Sequence, residues 1–73
     1  MASQPLKISY DREGDILYID KCKPYAEQES EEIGDEVIAR LNPNSNAVEN
    51  LEILFFSKRI MANEKLELPI ELI

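Results

Sequence analysis

Period-two alternation of apolar and polar residues constrains this chain more than any other feature. Leu6, Ile8 and Tyr10 interleave with Lys7, Ser9 and Asp11, and Val37, Ala39 and Leu41 interleave with Glu36, Ile38 and Arg40. Leu66, Leu68, Ile70 and Leu72 alternate in the same way with Lys65, Glu67, Pro69 and Glu71. A repeat of two gathers like residues on one face of an extended strand, whereas a helix needs 3.6. Ile16-Leu17-Tyr18-Ile19 is apolar on both faces, the pattern of a central strand covered on both sides. Val48 to Phe56 is apolar enough for a long strand, but Leu51, Leu54 and Phe55 also fit helical spacing.

Turn chemistry separates these runs. Asp11-Arg12-Glu13-Gly14 is the first turn, where Gly14 is expected to supply a positive φ. Gly34-Asp35 is expected to reuse the chemistry of Gly14-Asp15. Asn42-Pro43-Asn44-Ser45-Asn46 is the strongest turn signal, since proline fixes φ and asparagine tolerates the left-handed region. The expected fold is therefore mainly β: an antiparallel β-meander of about five strands, with one short helix near residues 54 to 63. The alternative class is α+β.

One domain is expected over residues 1–73: a polar lead (1–5), a core (6–60) and a C-terminal extension strand (61–73) that Pro69 confines to an edge. Tyr25 to Ile33 carries Glu27, Glu29, Glu31 and Glu32 and reads as a solvated edge strand whose charges discourage stray pairing. A short helix opened by Pro24 is the alternative for its first residues. For 73 residues, hydrophobic gain and conformational entropy cost each come to about 110 kcal/mol, so the margin is thin and association is expected to supplement it.

The composition excludes several chemistries. There is no histidine, so serine and cysteine relays built on imidazole are ruled out. The single cysteine, Cys22, permits neither an internal disulfide nor a thiolate metal cluster. Flanking Lys21 and Lys23 could activate Cys22, but no base or resolving thiol accompanies it. Gly14 and Gly34 are too far apart for a phosphate-binding loop. With 8 basic and 15 acidic residues the net charge is −7, and a footprint for nucleic acid is missing. Met1-Ala2-Ser3-Gln4 does not read as a signal peptide, and no apolar run reaches membrane-spanning length.

Asp11, Glu13 and Asp15 cluster around Gly14, but a calcium loop needs glycine sixth and glutamate twelfth, where this chain has glycine fourth and Cys22 twelfth. A polar hairpin is expected there instead. Tyr10 and Tyr18 flank this turn and are expected to pack as an aromatic pair. Glu52, inside an apolar run, is expected to face solvent or to pair with Arg40 or Lys58.

Tyr10-Asp11-Arg12-Glu13-Gly14-Asp15-Ile16-Leu17-Tyr18-Ile19 resembles the opening motif of a short bacterial family known as domain of unknown function 2283. That motif is Tyr-Asp, a few turn residues, Asp, an apolar residue, then Leu-Tyr-Ile. Glu29 to Glu32, Val37-Ile38, Leu51-Glu52-Ile53-Leu54 and Ser57-Lys58-Arg59 agree with its later blocks. The chain departs from it at Arg40, where the family often has an acidic residue, and at Asn50, where it often has glycine. The resemblance implies a small β-rich fold and a bacterial origin. It carries no activity, cofactor or catalytic residue. Some members stand beside small toxin-like partners, which implies an antitoxin reading.

The expected function is a non-catalytic, self-associating interaction module of the bacterial cytoplasm, without cofactor, metal, nucleic acid or membrane. Its expected partner is itself, as a homodimer or higher, through Phe55 or Phe56; a basic protein facing Glu27, Glu29, Glu31 and Glu32 is the further candidate. The alternatives are an antitoxin neutralising a small basic toxin and, third, a small enzyme.

Overall fold

The computed structural model describes residues 5–63 together with residue 68. Five strands and a helix follow in order: β1 (Lys7–Asp11), β2 (Ile16–Asp20), β3 (Glu29–Gly34), β4 (Val37–Leu41), β5 (Val48–Leu54) and α1 (Phe56–Asn63). All neighbours pair antiparallel, in one sheet of order β1-β2-β5-β4-β3. The hairpin β1–β2 and the meander β3–β4–β5 are each continuous in sequence, and β5 returns to lie beside β2. Ile16 to Ile19 thus takes the interior place that its apolar pattern demands. The acidic strand β3 takes an edge, and a turn stands where a helix after Pro24 was the alternative.

Register assigns each residue to a face, because directly opposed residues point the same way. Tyr10, Leu17, Ile53 and Val37 form one row across four strands, and Ile8, Ile19, Leu51 and Ala39 form the next. Val37, Ala39, Leu51 and Ile53 from these rows are the buried core. Helix α1 lies on this face: the Phe56 ring meets Tyr10 edge-on at 5.9 Å and packs against the core, as Leu68 also does. The opposite face carries Lys7, Asp20, Asn50 and Arg40 in one row and Ser9, Tyr18, Glu52 and Ile38 in another. Each face of the sheet therefore has its own character, one apolar and buried over β4 and β5 but open at β1, one mixed.

Three expectations about local structure are corrected, the first of them by these rows. Tyr10 pairs with Leu17, and Tyr18 with Ser9, so the two tyrosines stand on opposite faces and form no aromatic pair. The loop between β1 and β2 sets this register, and the partner of Tyr10 is Phe56 instead. Positive φ falls on no glycine but on Asp15 (57°), Glu36 (60°), Asn46 (62°) and Phe55 (55°). Gly14 sits close to its neighbours: a Cβ there would lie 2.9 Å from Asp11 Oδ2, at the end of an exposed side chain, and 3.2 Å from Ile16 Cδ1. Because Asp15 and Glu36 each stand directly before a strand, the second turn repeats the first shifted by one residue and does not reuse the Gly-Asp pair.

Strand β5 ends where Phe55 adopts the left-handed conformation, which no strand continues through. That break resolves the ambiguity between helix and strand in favour of a helix from Phe56. The expected extension strand at 61–73 overlaps α1 in its first residues; the rest of it, Leu68 apart, lies outside the described residues, as do residues 1–4 of the polar lead.

Candidate functional site

Tyr10 and Asp15 of the opening motif meet Ser57 of the last family block at the N-terminus of α1. Asp15 is the hub. Its Oδ1 accepts the Tyr10 hydroxyl at 2.6 Å and the Ser57 backbone N–H at 2.9 Å. Its Oδ2 accepts the Ser57 hydroxyl at 2.8 Å, and its carbonyl accepts the Phe56 N–H at 3.0 Å. Helix α1 has no acidic residue in its first turn, and a carboxylate from another element satisfies the Ser57 amide there. From the other side, Arg59 Nη1 donates to the Asp35 carbonyl at 2.6 Å. The loops after β1 and after β3 thus grip the same short helix.

The hydrogen bonds of this cluster also shift its two ionisable groups. The hydrogen bond from Tyr10, then those from Ser57, keep the Asp15 carboxyl below its ordinary value. The same bond to Asp15 raises the Tyr10 phenol. Both groups move away from neutrality, whereas a general acid or base is tuned towards it. Asp11 is likewise engaged locally, its Oδ1 accepting the Glu13 N–H at 3.1 Å. Among the described residues no three carboxylates or thiols gather as a metal ion would require.

A second polar cluster fastens the long β2–β3 connection to β5. Asn50, only 2% exposed, donates to Asp20 Oδ1 at 2.8 Å and to the Cys22 carbonyl at 2.7 Å. Its own oxygen accepts Gln28 Nε2 at 2.7 Å, and the same amide nitrogen reaches Glu49 Oε1 at 3.0 Å. Successive strand residues normally point to opposite faces, so one glutamine could not reach both. The register shift between Arg40 and Leu41 supplies a bulge at Glu49 that lets it do so. Tyr25 adds its hydroxyl to Glu49 at 2.7 Å, and Asn42 Nδ2 donates at 3.2 Å. These bonds hold Glu49 below its ordinary range, and the Tyr25 phenol is pushed up to about 12, chiefly by its bond to Glu49.

Sequence reasoning did not find this cluster. Its one signal was Asn50, a polar residue at a position the family often gives to glycine. Cys22 borders a shallow groove of about 550 Å³ at which Lys7, Lys21 and Lys23 also stand. Burial, then Glu49 and Asp20, raise the Cys22 thiol in spite of Lys21. Its environment therefore opposes the thiolate that reactivity needs.

The residues singled out for interaction lie in β3 and α1 and in the segments just before them. Glu29, Glu31 and Glu32 are exposed along the β3 edge, with Glu27 exposed in the turn before it. Glu31 opposes Ala39 on the helix-covered side and Glu32 opposes Ile38 on the other, so the charges flank the edge on both faces. Phe55 and Phe56 part company: Phe55 is 44% exposed beneath the Lys58 ammonium at 5.5 Å, while Phe56 turns inward. Phe55 is thus the outward member. Glu52 pairs with Arg40 at 2.8 Å across the open face, one of the partners expected for it.

A family model described as a protein of unknown function (DUF2283) matches residues 7–57, more than half of the 73-residue chain. The chain belongs to this family. In this DUF2283 member the matched span starts at β1 and ends at Ser57, so it closes on the contact between Asp15 and the helix. The family's tyrosine, aspartate and serine are here one connected node. No match was found among curated proteins or among solved structures. No helix among the described residues is long and apolar enough to cross a membrane.

Proposed function

We propose that this chain is a non-catalytic, self-associating interaction module of the bacterial cytoplasm. One observation carries the reading: large apolar side chains stand exposed at the margin of the sheet. Leu6, Ile8 and Tyr10 are 49%, 62% and 43% exposed on or beside β1, with Phe55 at 44% and Met61 at 82% around the helix. Small cores gain from a partner, and the commonest partner is a second copy in a closed dimer. The tuning of Asp15 and Tyr10 away from neutrality supports a role without catalysis. Light scattering after size exclusion at tens of micromolar should give about twice 8.4 kDa or a multiple, with a thermal midpoint that falls on dilution. A monodisperse monomer whose midpoint ignores dilution would end the proposal.

The acidic margin favours a second reading, an antitoxin-like cover for a small basic protein. Exposed Glu29, Glu31 and Glu32 on an edge strand offer both unpaired backbone groups and a field that speeds encounter with a cation-rich partner. A small basic reading frame adjacent in the genome would be the partner to co-express. Changing Glu27, Glu29, Glu31 and Glu32 to Gln should slow association and flatten its salt dependence; unchanged on-rates across ionic strength would sink this reading.

A further inference from the structure

The two edges of the sheet differ in kind. At one, β3 presents Glu29, Glu31 and Glu32, and any pairing of β3 with its own copy crowds glutamates together. That edge is guarded against self-association. At the other, β1 is exposed at all five residues and carries Lys7-Ile8-Ser9-Tyr10-Asp11. We propose that β1 pairs antiparallel with β1 of a second copy about a two-fold axis at Ser9, joining the two sheets into one. The proposal rests on the self-association above and names its surface and register.

The sequence of β1 is complementary to itself in one register. A two-fold axis perpendicular to the sheet keeps each face on its own side, so paired positions must have the same parity. Centring on Ser9 uses all five residues, whereas any other permitted centre shortens the ladder. In that register Lys7 opposes Asp11 of the second copy, and Asp11 opposes its Lys7, placing opposite charges together twice on the open face. Ile8 opposes Tyr10 of the second copy, and Tyr10 opposes its Ile8, on the helix-covered face. Aromatic residues opposed to β-branched ones, and opposite charges opposed to each other, are favourable cross-strand pairs. Neither Lys7 nor Asp11 enters an ion pair among the described residues, so no described ion pair would have to break. Ile8, the most exposed of the large apolar strand residues at 62%, would be covered.

Two single charge reversals on the full chain test this register. Lys7→Asp sets like charges opposite at both ends of the ladder, and so does Asp11→Lys. Each variant alone should dimerise at least roughly tenfold more weakly than wild type and elute towards 8.4 kDa. An equimolar mixture of the two restores both pairs across a heterodimer and should recover the doubled mass. If wild type has the doubled mass and both variants keep it, self-association stands but this interface falls. A mixture of two folded variants that stays monomeric overturns it as well, and a wild type that is monomeric removes the proposal together with the reading it rests on. A mixed-label wild-type sample needs no substitution: isotope-filtered spectra should show Ile8 contacting Tyr10 of the other copy. A doubled mass without that contact overturns the register.

Discussion

Asp15 holds the backbone amide of Ser57 at 2.9 Å across 42 residues of chain, making a carboxylate in a hairpin loop the cap of a distant helix. The Asp15→Asn variant keeps a residue that tolerates a positive φ but gives up the charge facing the helix end. Its thermal midpoint at neutral pH should fall by a few degrees, up to about 8 °C, as charge-assisted bonds become neutral ones and the charge at the helix end is lost.

The same contact has a pH signature. The folded-state value of Asp15 lies below its ordinary 3.8, so its contribution is present above 3.8 and lost as pH falls through the depressed value. Glu49, depressed from 4.5, acts in the same direction. Acid titration of unfolding stability should therefore show a smaller loss in Asp15→Asn than in wild type over this window. Parallel acid limbs in the two proteins would contradict the assignment.

At the alkaline end the sign reverses. Tyr25 is raised from 10.0 to about 12, so it supports the fold below 10 and loses that effect as pH rises towards 12. Phenolate absorbance should show a late-titrating component near 12 that is lost in Tyr25→Phe, leaving the contribution of Tyr10, which is also raised. The variant should also lose less stability between those pH values than wild type does.

Asn50 is buried with both amide hydrogens and its oxygen engaged. In Asn50→Leu the Asp20 carboxylate, the Cys22 carbonyl and the Gln28 amide all lose a partner. Leaving buried polar groups unmatched costs about 1–3 kcal/mol, and urea unfolding should show a loss of this size. A neutral substitution would mean that water replaces the amide fully.

The glycines should separate in the opposite order from a naive turn reading. Gly34 has no positive φ and its nearest new neighbour would be the Val37 Cβ at 4.0 Å. Gly34→Ala should therefore stabilise by about 0.4–1 kcal/mol through the unfolded chain. Gly14→Ala must shift the Asp11 carboxylate, whose other oxygen accepts the Glu13 amide, and should be less favourable than Gly34→Ala. Chemical denaturation of both variants checks the ranking.

Strands, turns and the acidic edge were legible because each depends on neighbours in sequence. Alternation located β1 and β4, and the apolar run at Ile16 predicted an interior strand. What escaped depends on residues far apart. Asp15 resembled a turn residue because Ser57 is distant, and the Tyr25–Gln28–Glu49–Asn50 cluster needs a bulge that no local pattern announces. The opposition of Tyr10 and Tyr18 turned on loop length, where a shift of one residue exchanges the faces. Phe55 defeated local reasoning for another reason: a bulky residue rarely adopts φ of 55°, so its sequence points away from the turn it makes.

The place of β5 between β2 and β4 also governs how the chain can be assembled as it is synthesised. The β1–β2 hairpin can close early, but its second strand stays unpaired on one side until Leu54 has emerged. The meander can zip from neighbour to neighbour, whereas docking of the hairpin waits for its last strand. Folding therefore requires one long-range closure, in which β5 carries the meander onto the hairpin and α1 meets the loop of that hairpin.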